Sequence, residues 1–204
     1  ELFVRREGGI ETVVIDYRFA LGAMQQQTGG ILHDQVTLAQ AFQQLNENEL
    51  DWLRKLPPQA ELLGEILFVH GTPKSDKTYL LEPIVHGSNR IATRNEIKER
   101  IGDSQHKLIL CGHTHIPRVV AISEQTTIIN PGSVGLQAYD DTSPEYHVMQ
   151  TGSPHARYVI LEKVDINWVV NLLHVEYDHN SAAAHAHKNG RIEWEYALRT
   201  GLMP

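Results

Sequence analysis

Cysteine is almost absent from this chain. Cys111 is the only one in 204 residues, so no internal disulfide can form and a secreted, disulfide-stapled scaffold is excluded. A reducing, cytoplasmic setting is the expectation that follows. Long apolar runs are missing too. None approaches the ~20 residues a helix needs to cross a bilayer, and no signal-peptide pattern opens the chain, so no membrane partner is expected. Positive charge is scarce: 18 lysines and arginines stand against 25 aspartates and glutamates, a net charge of −7. Proteins that coat nucleic acid rely on clustered cations, and that class is set aside. The first residue is Glu1 rather than methionine, and the natural protein is expected to extend upstream.

What is present is an ordinary globular balance, 41% hydrophobic and 21% charged. That length and balance suit one large domain, spanning residues 1–204, with a sizeable core. Histidine is the exception, with twelve. Most cannot be ligands, so spacing must choose among them.

The first 35 residues yield only turn signals at Gly8-Gly9 and Gly29-Gly30. A helix is predicted from Asn46, which has the spacing of a capping box with Glu49. Leu50, Leu53 and Leu56 follow at helical intervals until Pro57-Pro58. A second helix is predicted over residues 94–101, with Thr93 and Glu96 again in capping-box spacing. Ile66-Leu67-Phe68-Val69 and Leu108-Ile109-Leu110-Cys111 are short continuous apolar runs, the pattern of strands buried on both faces. Residues 118–122, 126–129, 157–161 and 168–175 read as further strands. Residues 135–154 read as a long polar connection, and the tail as two short helices separated by Asn189-Gly190.

Three short motifs end strand-like runs: His70-Gly71-Thr72-Pro73, Gly112-His113-Thr114-His115 and Asn130-Pro131-Gly132-Ser133. Ligands collect at the carboxyl ends of strands in open α/β sheets, and neutral imidazole binds zinc, iron, nickel and related ions. A lone histidine at a strand end is usually a surface or hydrogen-bonded residue. Histidines delivered by two strands to one edge are what a metal site requires. The tail histidines His179, His185 and His187 lack that setting, since His185 and His187 face different sides of a helix. His155 beside Arg157 is as consistent with a buried structural pair as with a site.

These three motifs resemble the C-terminal motifs of calcineurin-like metallophosphoesterases, most nearly the small bacterial and archaeal phosphodiesterase branch. The resemblance implies an α/β fold, a two-sheet β-sandwich flanked by helices in a four-layer αββα arrangement. It implies two divalent metal ions roughly 3.5–4 Å apart, with manganese first and nickel, iron, zinc or magnesium as alternatives. His70 and His113 would hold one ion and His115 the other. Thr72, Asn130 and Ser133 would line the site and face the phosphate of a phosphorylated small-molecule substrate. A homodimer is expected by analogy alone. The reaction implied is hydrolysis of a phosphate ester by a metal-activated water. Two rivals stay open: a non-catalytic scaffold on the same fold, and a mononuclear metal-binding protein.

The family's upstream motifs, aspartate-x-histidine, glycine-aspartate and glycine-asparagine-histidine, do not occur in the sequence. The N-terminal portion of the family fold is therefore expected to be missing, leaving an exposed sheet edge. Two divalent ions bring four positive charges, and three neutral imidazoles offset none of them. The 204-residue chain alone is accordingly predicted to bind fewer than two ions tightly. Equilibrium dialysis against manganese checks this, and a stoichiometry of two would contradict it.

Overall fold

The computed structural model describes residues 45–204 together with the backbone of two N-terminal strands, β1 (Leu2–Glu7) and β2 (Ile10–Ile15). The turn signals at Gly8-Gly9 and Gly29-Gly30 lie outside the described residues. Helix α1 (Glu47–Arg54) is followed by β3 (Gln59–Leu62), β4 (Ile66–Val69), the short β5 (Ile84–Val85) and β6 (Ser88–Asn89), and helix α2 (Arg94–Ile101). Then come β7 (Leu108–Leu110), β8 (Arg118–Ala121), β9 (Thr127–Asn130), β10 (Ala138–Asp141), β11 (His147–Gln150), β12 (Ala156–Val164) and β13 (Asn167–Val175). Helices α3 (His179–Lys188) and α4 (Ile192–Thr200) close the chain.

Both predicted capping boxes form. Asn46 accepts from the Asn48 and Glu49 amides while the Glu49 carboxylate returns to the Asn46 amide. Thr93 and Glu96 do the same for α2, and Gly102 ends that helix with φ +60°.

The strands make two larger sheets. One has the order β3-β4-β7-β9-β8, with β4, β7 and β9 mutually parallel and β3 and β8 antiparallel at the edges. The other is the antiparallel sheet β1-β2-β12-β13. Alternation along the buried strands divides the core in two. Leu67, Val69 and Ile109 face Ile97 and Ile101 of α2, with Leu80, Leu81 and Ile128 filling between. Ile66, Phe68, Leu108 and Leu110 face the opposite way, onto Val159 and Leu161 of β12. This is the sandwich with flanking helices expected from the sequence. Burial on both sides explains why β4 and β7 read as unbroken apolar runs.

Two expectations need correction. Residues 135–154 are not a plain connection, because they contain the antiparallel hairpin β10–β11 with Ala138 opposite Gln150. Its strands, Ala-Tyr-Asp-Asp and His-Val-Met-Gln, carry too few apolar residues to show an alternation, although Ala138, His147 and Met149 are buried. The edge beside β4 is also covered among the described residues, since β3 pairs along it and turns Gln59 and Glu61 outward. No described helix is long and apolar enough to cross a membrane.

Glu65, in the turn between β3 and β4, ties the two sheets together. Its carboxylate accepts from Lys107 Nζ at 2.8 Å, Lys163 Nζ at 2.9 Å and Trp168 Nε1 at 3.1 Å. Lys107 precedes β7, whereas Lys163 and Trp168 belong to β12 and β13. The hydrogen bonds from Lys107 and Lys163 lower the Glu65 pKa from 4.5 to about 2. The unfolded chain, with an ordinary carboxyl, takes up its proton first as pH falls. Stability from Glu65 is therefore fully present above pH 4.5 and is lost as pH drops towards 2. Glu65→Gln is predicted to be less stable than the parent near neutral pH, with the gap closing through that window. Urea midpoints across it provide the check.

Candidate functional site

The three parallel strands end at one edge of the five-stranded sheet, and each ending carries one motif. His70 follows β4, the Gly112–His115 segment follows β7, and Asn130 is the last residue of β9. The ladder runs one step beyond the strands, with the Gly112 amide donating to the His70 carbonyl at 2.8 Å and the Cys111 amide to Ile129 at 2.9 Å. Gly71 is required here by crowding rather than by φ. A Cβ at that position would come within 2.5 Å of the Thr78 carbonyl and 2.7 Å of that of Ser75.

Both histidines of the Gly-His-Thr-His segment have left-handed backbone, φ +65° at His113 and +60° at His115. For a residue with a Cβ this costs roughly 1–2 kcal/mol, and it persists only where the surroundings hold it. Asn130 does much of the holding. Its Nδ2 donates to the Gly112 carbonyl and to Thr114 Oγ1, both at 2.9 Å, and its Oδ1 accepts from the Gly132 amide at 2.9 Å. Thr114 Oγ1 in turn donates to Glu82 Oε2 at 2.8 Å. Glu82 has no exposed surface and pairs with Arg118 Nε at 2.5 Å. Burial raises the Glu82 pKa, and the hydrogen bonds from Thr114 and Arg118 offset that only in part.

The rings stand side by side. His113 lies 4.6 Å from His70 and 4.5 Å from Tyr79, between centroids. His115 meets Tyr139 edge to face at 5.1 Å. Its Nδ1 donates to the Leu136 carbonyl at 2.7 Å, which fixes the tautomer and leaves Nε2 as the acceptor nitrogen. Burial, the largest cause at all three, holds their pKa values low: His70 at about 3, His113 at about 4 and His115 at about 4. All three are neutral imidazoles near pH 7, the form that donates to metals.

The other expected site residues lie close by with different duties. Asn130 has no exposed surface, and its amide braces the loop. Thr72 is buried, and its hydroxyl closes a tight turn by donating to the Ser75 carbonyl at 3.2 Å. Ser133 Oγ accepts from the Leu136 amide at 3.3 Å. Its carbonyl takes Gln137 Nε2 at 2.7 Å and the Arg157 amide at 3.0 Å. Arg157 is buried and donates to Gln137, Ser153 and the His155 carbonyl, so it has a structural part. In the tail, His187 Nδ1 bonds to Glu195 at 2.6 Å. Sequence reasoning missed Glu82, Tyr79, Tyr139 and His147, because each reaches the site through tertiary packing and none sits in a short motif.

As nitrogen donors, His70, His113 and His115 suit a divalent cation. A two-ion centre is not accounted for, since among the described residues no three His, Cys, Asp or Glu side chains are grouped to hold a metal.

Comparison with known proteins bears on this arrangement. A model of the calcineurin-like phosphoesterase superfamily domain matches residues 33–153. A metallophosphoesterase from Sphaerobacter thermophilus superposes with a TM-score of 0.61, over 90% of this chain and 74% of that one, at 21% identity. That is a likeness of fold alone. A single mutant of Vps29 from Entamoeba histolytica matches at 14% identity over 60% of this chain and 63% of that one, with a TM-score of 0.29. Vacuolar Protein Sorting 29 from Cryptosporidium parvum matches at 14% identity over 60% and 58%, with a TM-score of 0.27. At those scores neither carries an argument. No curated protein matches the sequence.

The left-handed backbone at His115 generates a direct prediction. His115→Gly should be less destabilising than His115→Ala by about 1 kcal/mol, because glycine adopts φ +60° without a Cβ penalty. Denaturant unfolding of the two variants measures the difference. An equal or larger loss for glycine would show that the loop is not strained there.

Proposed function

The chain belongs to the calcineurin-like phosphoesterase superfamily, and on that footing we propose that it serves metal-dependent hydrolysis of a phosphate ester. The observation that carries the reading is the delivery of His70, His113 and His115 to one sheet edge as neutral imidazoles. A bound divalent ion would supply an acidified water and offset the charge developing on the phosphoryl group.

The chain's own side chains have separate roles in this reading. His70 and His113, with rings 4.6 Å apart, are nitrogen donors to one ion. His115 offers Nε2 to the other, held in place by its Nδ1 bond to Leu136. Ser133 Oγ, which accepts from the Leu136 amide, can direct its proton to a phosphate oxygen. Thr72 shapes the adjoining turn. The substrate is a small phosphorylated molecule and the setting cytoplasmic. Imidazole ligands suit several divalent ions, with manganese our first choice.

A scaffold on the same fold is the second reading. It is favoured by the lack of a grouped ligand set among the described residues. Metal content and hydrolysis of bis-p-nitrophenyl phosphate separate the two. Both would be measured on the 204-residue chain and on a version extended upstream with the family's three carboxylate- and histidine-bearing motifs. The phosphoesterase reading predicts two ions and turnover in the extended protein only, with turnover abolished by His113→Ala. Absence of metal and of turnover in both would contradict the phosphoesterase reading and favour the scaffold.

A further inference from the structure

We propose that Tyr79, Tyr139 and His147 form a buried clamp that positions the His113 backbone and the rings of His113 and His115. The proposal rests on the reading of those two histidines as ligands. Tyr139, on β10, donates its hydroxyl proton to the carbonyl of His113 at 2.8 Å. That carbonyl belongs to a residue held at φ +65°, where a fixed partner matters most. The same hydroxyl lies 3.2 Å from that of Tyr79. The Tyr79 ring lies 4.5 Å from the His113 imidazole, and the Tyr139 ring meets that of His115 edge to face at 5.1 Å. Two neighbouring phenols therefore touch both histidines.

His147 anchors the pair. It is 1% exposed, and its Nδ1 donates to the Glu145 carbonyl at 2.7 Å, which leaves Nε2 to accept from the Tyr79 hydroxyl at 2.9 Å. Both Tyr139 and His147 come from the β10–β11 hairpin. That hairpin is braced in turn by Asn89 Nδ2, which donates to the Val148 carbonyl at 3.3 Å. The hairpin thus works as a bracket for the histidine loop. Partners behind metal-binding histidines tune ligand orientation, and their loss typically costs 10–100-fold in metal affinity.

Tyr139→Phe and Tyr79→Phe test this while retaining the rings that fill the space. The imidazole 1H–15N spectrum of the metal-free 204-residue chain is the first measurement. It should show ordered single-tautomer signals for His113 and His115 in the parent, and shifted or exchange-broadened ones in Tyr139→Phe. Thermal melting checks that the variant is folded. Binding of Co2+ alone is the second measurement, and its affinity should fall about tenfold in Tyr139→Phe. Unchanged imidazole signals in a folded Tyr139→Phe would overturn the clamp. So would unchanged Co2+ affinity in a parent that binds the ion. A parent that takes up no Co2+ contradicts the ligand reading of the histidines, while the metal-free spectrum still decides the clamp.

Discussion

The site depends on two histidines being held in a left-handed conformation within a segment of four residues. Without φ near +60° at His113 and His115, the chain leaving β7 would continue extended, with its two imidazoles on one face and carried roughly 6.5 Å apart along the strand. The bent path is unfavourable by itself, and its local support is the Thr114 amide donating to the Gly112 carbonyl at 2.7 Å. The rest comes from other segments. Asn130 at the end of β9 takes the Gly112 carbonyl and the Thr114 hydroxyl, Glu82 takes the Thr114 proton, and Tyr139 takes the His113 carbonyl. Each is a buried or half-buried group whose own hydrogen bonds are complete only when the loop is bent. Loop and braces are therefore stable together and costly apart.

The apolar core makes this bargain affordable and fixes where it occurs. Parallel pairing of β4, β7 and β9 aligns their carboxyl ends, so three loops that are distant in sequence emerge side by side. Burial on both faces, against α2 on one side and β12 on the other, holds those strands in register. The same packing lowers the dielectric around the rings and keeps them neutral. Position and protonation state thus share one cause.

Much of this could be read in the sequence. The apolar runs before His70 and Gly112 announced β4 and β7, because strands buried on both faces leave no polar alternation. The capping boxes at Asn46 and Thr93 are local chemistry, and local chemistry is legible. The rest is of another kind. The β10–β11 hairpin has a tyrosine and two aspartates where an alternating strand would have apolar residues, and its reason for folding lies in what Tyr139 and His147 touch. Glu82 looks like any surface carboxylate until Arg118 and Thr114 are brought to it from beyond α2. Its place inside a motif makes Asn130 look substrate-facing, whereas its three side-chain hydrogen bonds support the histidine loop.

The central claim is that Asn130 stabilises a strained histidine loop, and a double-mutant cycle tests it most directly. Asn130→Ala would be measured by urea unfolding in the parent chain and in a background carrying both His113→Gly and His115→Gly. If Asn130 serves to hold the left-handed backbone, its removal should cost less once glycine has relieved the strain, giving a coupling energy of about 1 kcal/mol or more. Additive losses would contradict the account. They would mean that Asn130 stabilises the edge of the sheet without regard to how the histidines are bent.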